Sequence, residues 1–179
     1  MHDFIEKVLV THEEIVSRCK AMGKQITEEY QGKKPLFVGL LKGSIPFMAE
    51  IIKHIDTEME TEYLEASSYS GVSSTHSVVV TKDVKTPLLN RHVIIIEDIV
   101  DTGLTIREII NLFKDRGAAS IEVCTLLNKE EGRTVSGINP KYVGFEIENA
   151  FVVGFGLDYN QLYRNLDYVG ILKRSVYEK

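Results

Sequence analysis

Cysteine is scarce: the 179-residue chain holds only Cys19 and Cys124. Cys19 falls in a helical pattern and Cys124 in an apolar strand run, so both read as small core residues rather than a disulfide or a metal pair. Basic charge is also in short supply. The formal net charge is −5, spread without a basic stripe, so the electrostatic footprint of a nucleic-acid binder is missing and any cationic site is local. No apolar run approaches the roughly 18 residues of a membrane span. His2-Asp3 does not resemble a secretory signal, and we expect a cytoplasmic protein with neither membrane nor nucleic-acid partner. Neither Gly-x-x-x-x-Gly-Lys-Ser/Thr nor Gly-x-Gly-x-x-Gly occurs, which disfavours the nucleotide folds built on those loops. Repeats, linkers and low-complexity tracts are lacking too. The 44% hydrophobic content over this length suits one domain, residues 1–179, with a substantial core.

What is present centres on the stretch from Val93 to Thr105. Val93 to Ile96 is an apolar, β-branched run with no polar alternation, as suits a strand covered on both faces. Ligands of parallel sheets collect at the carboxyl ends of the strands, and there the run meets Glu97 and Asp98. Asp101, Thr102, Gly103, Leu104 and Thr105 then turn into a helix whose N-terminus favours an anion such as phosphate. Taken separately, a cap, a turn and a solvated acidic loop explain these residues as well. Together they explain less. Three carboxylates within five positions repel one another unless they face sugar hydroxyls and a hard cation such as Mg²⁺.

The surrounding pattern alternates strands and helices. Thr11 with Glu14 forms a capping-box pattern. Ile15, Cys19, Met22, Ile26 and Tyr30 recur at helical spacing and predict a helix from about Glu13 to Tyr30. Gly32 and Pro35 break it. Leu36 to Leu40 reads as a short buried strand and Ser44 as the cap of a helix from Ile45 to His54. Thr57 to Ala66 and Val78 to Thr81 read as strands around a polar segment, Ser67 to Ser77, whose length fits a lid. Ile106, Ile109, Ile110 and Phe113 line a helix that Gly117 ends, and Ile121 to Leu127 returns as a strand. Tyr142 to Ile147, Phe151 to Gly156 and Val169 to Leu172 add strands. The expected class is α/β: a central, mostly parallel sheet flanked by helices, with a small β-rich hood from the C-terminal and N-terminal segments.

Other residues fall at the same sheet edge. Lys42 and Gly43 follow the first core strand, where Gly43 lets backbone approach a ligand and Lys42 adds a point charge; alone, this is more often a plain turn. Lys129 follows the strand ending at Asn128, and Arg133 reads as a residue that pairs with a surface acid. From Phe151 through Val152 and Asp158 to Arg164 runs a segment that pairs an aromatic face with a carboxylate and a guanidinium. Taken alone, Phe151 reads as core and Asp158-Tyr159-Asn160 as a turn.

The order Glu97-Asp98 to Thr105 resembles the signature of the phosphoribosyltransferases. Leu41-Lys42-Gly43, Leu126-Leu127-Asn128-Lys129 and Phe151 to Arg164 are similar to the hypoxanthine-guanine branch of that family, in the same order along the chain. The resemblance implies a type I phosphoribosyltransferase fold and Mg²⁺-dependent transfer of 5-phosphoribosyl from phosphoribosyl pyrophosphate to N9 of a 6-oxopurine, hypoxanthine or guanine. It places Glu97 and Asp98 by the ribose hydroxyls and Mg²⁺, and Asp101 to Thr105 on the 5-phosphate. Lys42, Gly43 and Arg164 fall on pyrophosphate, with the Leu41-Lys42 peptide a candidate for cis. Asp101 becomes the acid or base on the purine and Lys129 the donor to its 6-oxo group. Phe151 would stack on the base, Val152 contact its edge and Asp158 hold Mg²⁺, while Ser68 and Tyr69 close over the site. A homodimer or homotetramer is implied.

Two departures stand out: Leu104 replaces a Lys of mammalian members, and Asn149-Ala150 replaces a frequent Asp-Lys. A different class of answer is a regulatory protein that keeps the pocket as a sensor, which a basic nucleic-acid face would reveal. A phosphohydrolase pattern, Asp-x-Asp-x-Thr, is not met.

Overall fold

The computed structural model describes residues 2–69 and 77–178, without side-chain detail at 67–69, 77 and 78. Its main sheet has six strands: β2 (Leu36–Leu40), β3 (Glu60–Tyr69), β4 (Ser77–Lys82), β5 (His92–Val100), β6 (Ser120–Asn128) and β7 (Tyr142–Glu146), in the order β4-β3-β2-β5-β6-β7. All neighbours are parallel except β3 with β4. The helices are α1 (His12–Tyr30), α2 (Ile45–Ile51), α3 (Leu104–Asp115) and the short α4 (Arg174–Tyr177).

Strand β5 shows why the apolar run had no polar alternation. Ile94 and Ile96 pack into the cluster that holds Ile15, Cys19, Met22 and Ile26 of α1 and Phe47 of α2. Val93 and Ile95 pack on the other face with Ile106, Ile109 and Phe113 of α3. Burying each such side chain contributes about 1.5–3 kcal/mol, so successive residues of one strand glue a helix layer to each face. Cys19 and Cys124 are free and buried in that same packing, where burial pushes the Cys19 thiol up to about 12.

A second sheet, β1 (Ile5–Val10), β9 (Val169–Leu172) and β8 (Val152–Val153), joins the two ends of the chain in antiparallel order β1-β9-β8. Ile5, Val153, Leu166 and Leu172 form its own small core. It meets the main body at Gly156, where φ is +101° and a side chain would run into the carbonyl of Gly43. Only glycine fits there.

Several expectations change. Strand β1 was not foreseen, because its outer positions are buried and its middle is not, with no alternation to read. The Phe151 to Gly156 strand shrinks to Val152–Val153, since Gly154 and Phe155 take positive φ values of +98° and +47° that break the ladder. β7 joins the main sheet rather than the hood, extending the parallel edge of β6. β3 and β4 run further into the polar segment than its side chains indicated, because antiparallel pairing down to Tyr69 and Ser77 satisfies the backbone. The rest of that segment, residues 70–76, lies outside the described residues, so the expected lid is not described. The helix after Ser44 ends at Ile51 and tightens into a 3-10 turn at Ile52–His54. Ser44 itself has helical backbone angles and makes no capping bond; Pro46 occupies the first turn instead. The helix of the N-terminal half matches its signals, with both halves of the Thr11–Glu14 capping box formed.

Candidate active site

The carboxyl ends of β2, β5 and β6 lie side by side in the sheet, so the loops that leave them share one rim. After β2, the Leu41-Lys42 peptide is cis. The chain reverses through Gly43, which packs so tightly on Asp98 that an added Cβ would overlap its carboxylate. After β5 the phosphate-type turn runs Asp101 to Thr105, with Gly103 at φ +80° leading into α3. The Leu104 amide donates to the Thr102 hydroxyl at 3.4 Å, and the first amides of α3 lie at the helix end where the dipole favours an anion.

Two adjoining cavities follow this rim. One, of about 120 Å³, is lined by Glu97, Asp101, Thr102, Gly103 and Thr105. The other, of about 250 Å³, is lined by Lys42, Gly43, Glu97, Asp98, Thr105, Asp158 and Arg164. Glu97 and Thr105 belong to both, so the space is one bent cleft with a turn of amides and hydroxyls at one end and a lysine and an arginine at the other.

Its electrostatics are unbalanced toward negative charge at the centre. Burial, and then the neighbouring Asp98, push Glu97 well above the usual carboxylate range. Burial likewise raises Asp98 to about 6, against the pull of the Ile99 amide that its carboxylate accepts at 2.8 Å. Carboxylates held this way bind protons, hydroxyls or a cation. Among the described residues no group of three or more acidic, histidine or cysteine side chains is arranged to hold a metal. Glu97, Asp98 and Asp158 line the second cavity together and carry carboxylate oxygens, the donor type that a hard cation such as Mg²⁺ prefers.

At the cationic end Arg164 pairs with Asp158 at 2.8 Å and donates to the Gly156 carbonyl at 2.7 Å. Its Nε is buried and, among the described residues, has no partner, as is true of the Ser44 hydroxyl. Arg164 also lines the second cavity, where a guanidinium suits an anionic guest. On the other side Lys129 is 7% exposed and its ammonium lies 3.1 Å from the Asp101 carboxylate.

The sequence-predicted residues thus converge, with some differences. Lys42, Gly43, Glu97, Asp98, Asp101, Thr102, Gly103, Thr105, Asp158 and Arg164 line the cleft, and Lys129 touches Asp101. Leu104 does not line it. Phe151 lies on the hood, 39% exposed, with its ring stacked on Tyr177 at 4.7 Å and edge-on to Tyr159 at 5.7 Å. The Val152 side chain is buried in the core, which leaves its backbone for any contact. The side chains of Ser68 and Tyr69 lie outside the described residues. Arg133 is not a surface ion-pair partner: it donates to the Asp101 carbonyl at 3.1 Å, the Ile138 carbonyl at 2.6 Å and the Asn128 amide oxygen at 2.6 Å. No sequence signal marks those acceptors, since two of them are backbone.

Comparison with known proteins agrees with this geometry. Residues 7–160 match the model of the phosphoribosyl transferase domain. The chain is 52% identical over 176 residues to the hypoxanthine-guanine phosphoribosyltransferase of Streptococcus mutans, covering 98% of this chain and 97% of that one. It is 51% identical over 174 residues to the Streptococcus pneumoniae enzyme of the same name, covering 97% and 96%. This chain belongs to the hypoxanthine-guanine phosphoribosyltransferase family. A solved hypoxanthine phosphoribosyltransferase from Staphylococcus aureus superposes with a TM-score of 0.96 at 46% identity, over 100% of this chain and 97% of that one. The fold of this phosphoribosyltransferase is accordingly type I, with a mixed central sheet flanked by helices and a separate small sheet. Among the described residues no helix is long and apolar enough to cross a membrane.

Proposed function

We propose that the protein is a purine salvage enzyme that transfers 5-phosphoribosyl from phosphoribosyl pyrophosphate to N9 of hypoxanthine or guanine, giving IMP or GMP and pyrophosphate. The observation that carries this reading is the bent cleft. A phosphate-type turn, buried acids and a Lys42–Arg164 cationic end follow one another along it, in the order of the 5-phosphate, ribose and pyrophosphate of such a donor.

The residue roles follow from position. Amides and hydroxyls of Asp101 to Thr105 hold the 5-phosphate, and Glu97 and Asp98 face the ribose hydroxyls. Lys42 and Arg164, which line the same cavity, take pyrophosphate. The family uses Mg²⁺ with phosphoribosyl pyrophosphate; here Glu97, Asp98 and Asp158 would share it with substrate oxygens, and its charge would offset that of the leaving pyrophosphate. Asp101, at the start of the phosphate turn and paired with Lys129, exchanges a proton with the purine as N9 bonds to C1 of the ribose and pyrophosphate leaves. Lys129 donates to the 6-oxo group. Phe151 stacks on the base from the hood and the Val152 backbone meets its edge. Ser68 and Tyr69 close over the site and keep water from the ribosyl centre. A homodimer or homotetramer in the cytoplasm completes the reading, and sedimentation of the purified protein distinguishes the two assemblies.

The test is direct. The protein is incubated with phosphoribosyl pyrophosphate, Mg²⁺ and, separately, hypoxanthine, guanine, xanthine and adenine, and nucleotides are resolved by chromatography. IMP and GMP are expected, without AMP. No nucleotide from any base, with phosphoribosyl pyrophosphate still bound, points instead to a sensor that kept the pocket.

A further inference from the structure

We infer that Arg133 is a positioning residue that clamps the phosphate turn to the Lys129 loop, so that one guanidinium sets the placement of both ends of the reacting system. This rests on the reaction proposed above. The guanidinium spends its fork on three different parts of the chain. Nε donates to the carbonyl of Asp101, Nη1 to the carbonyl of Ile138 and Nη2 to the side-chain oxygen of Asn128.

The last contact has a fixed polarity. The Asn128 amide nitrogen donates to both oxygens of Glu146, at 3.0 and 2.9 Å, so its oxygen faces Arg133. A chain of hydrogen bonds therefore runs from Glu146 on β7 through Asn128 at the end of β6 and Arg133 to the backbone of Asp101. The aliphatic stem adds a second hold, because a Cβ on Gly103 would sit 2.8 Å from Cδ of Arg133. Thr134, the next residue, donates its amide to the Thr102 carbonyl at 3.1 Å.

The consequence is a division of labour within one residue. The Asp101 backbone is held by Arg133 at its carbonyl, while its side chain stays 45% exposed and pairs with the Lys129 ammonium at 3.1 Å. Lys129 sits at the root of the same loop, its amide bonded to the Val100 carbonyl at 3.0 Å and its ammonium on Asp101. Loosening the clamp misplaces the proton-transfer group, the lysine and the phosphate amides together. A misplacement of about 1 Å costs on the order of 10²-fold in rate.

The experiment compares Arg133→Ala, Arg133→Lys and Asn128→Ala with wild type and with Arg91→Ala, whose arginine pairs with Glu60 in the same sheet's opposite, amino-terminal end. Steady-state kinetics are paired with amide hydrogen exchange over residues 129–134, where the amides of Lys129, Gly132, Arg133 and Thr134 are bonded to the carbonyls of Val100, Lys129, Glu130 and Thr102. For Arg133→Ala we expect kcat to fall about 10²-fold and the KM for phosphoribosyl pyrophosphate to rise about tenfold. Exchange over 129–134 should quicken by at least about tenfold. Arg133→Lys should resemble it, since one ammonium cannot reach acceptors in three directions. Asn128→Ala, remote from Asp101, should move the same readings by less, and Arg91→Ala should leave all of them near wild type. Should Arg133→Ala fail to fold, Arg133→Lys and Asn128→Ala test the same chain. Exchange unchanged in the folded variants, or kinetic constants within about twofold of wild type, overturns the clamp. Wild-type protein that forms no nucleotide overturns the reaction instead and leaves the exchange measurement to judge Arg133.

Discussion

Asp98→Asn should make the free protein more stable while disabling it, and the size of the gain follows from where Asp98 sits. The carboxyl titrates at 3.8 in an ordinary setting and at about 6 in the fold, chiefly through burial. At about 1.4 kcal/mol per pH unit, ionised Asp98 costs the native state about 2–3 kcal/mol at neutral pH, allowing for the solvent contact it keeps. The sign is that of a raised acid: the native state holds the proton more tightly than the unfolded chain, so stability falls as pH rises from 3.8 to about 6 and stays low above that. Asparagine removes this cost and can still accept the Ile99 amide that Asp98 accepts at 2.8 Å. It also relieves part of the strain on Glu97, whose carboxyl is raised by burial first and by the neighbouring Asp98 second. At about 2–4 °C per kcal/mol, thermal unfolding should shift upward by about 4–12 °C at pH 7 and by little near pH 4. With phosphoribosyl pyrophosphate and Mg²⁺ added, wild type should gain the stabilisation that the variant lacks. Thermal and urea unfolding at both pH values, with and without ligand, check this. An Asp98→Asn protein no more stable than wild type at pH 7, or equally favoured at both pH values, would show that burial strain at the acid pair is not what the structure implies.

Three further outcomes are expected. Asp101→Asn should lower kcat by about 10²–10⁴-fold with little change in either KM, as for loss of a proton-transfer group, and near-normal turnover in a steady-state assay removes Asp101 from that role. Gly43→Ala places a Cβ on the Asp98 carboxylate; calorimetry should show phosphoribosyl pyrophosphate binding weakened at least about tenfold, because backbone and acid cannot both stay in place. Tyr177→Ala strips the ring stacked under Phe151 at 4.7 Å. The KM for hypoxanthine should then rise about 2–10-fold, the equivalent of an aromatic pair worth 0.5–1.5 kcal/mol, while kcat holds; an unchanged KM would detach the C-terminal helix from base binding.

The sequence by itself determined the layered α/β core and most of the cleft. A run such as Val93 to Ile96 is apolar on both faces because helices cover both faces, and its end fixes where Glu97, Asp98 and the turn to Thr105 stand. Lys42 and Lys129 were legible for the same reason, each being the first polar residue after a buried strand. Local signals sufficed wherever the physics was local, as in the Thr11–Glu14 capping box. The sequence was silent where a partner lies far along the chain. Strand β1 forms by pairing with β9, 160 or so residues away, and no periodicity within Ile5–Val10 announces it. Tyr177 gains meaning only because β9 carries it back to Phe151. Arg133 looked like a surface charge until folding brought the carbonyls of Asp101 and Ile138 within reach of its guanidinium. Which residues carry chemistry was written in their type and order; which ones hold them still was decided by tertiary contacts, because backbone acceptors have no letter in the sequence.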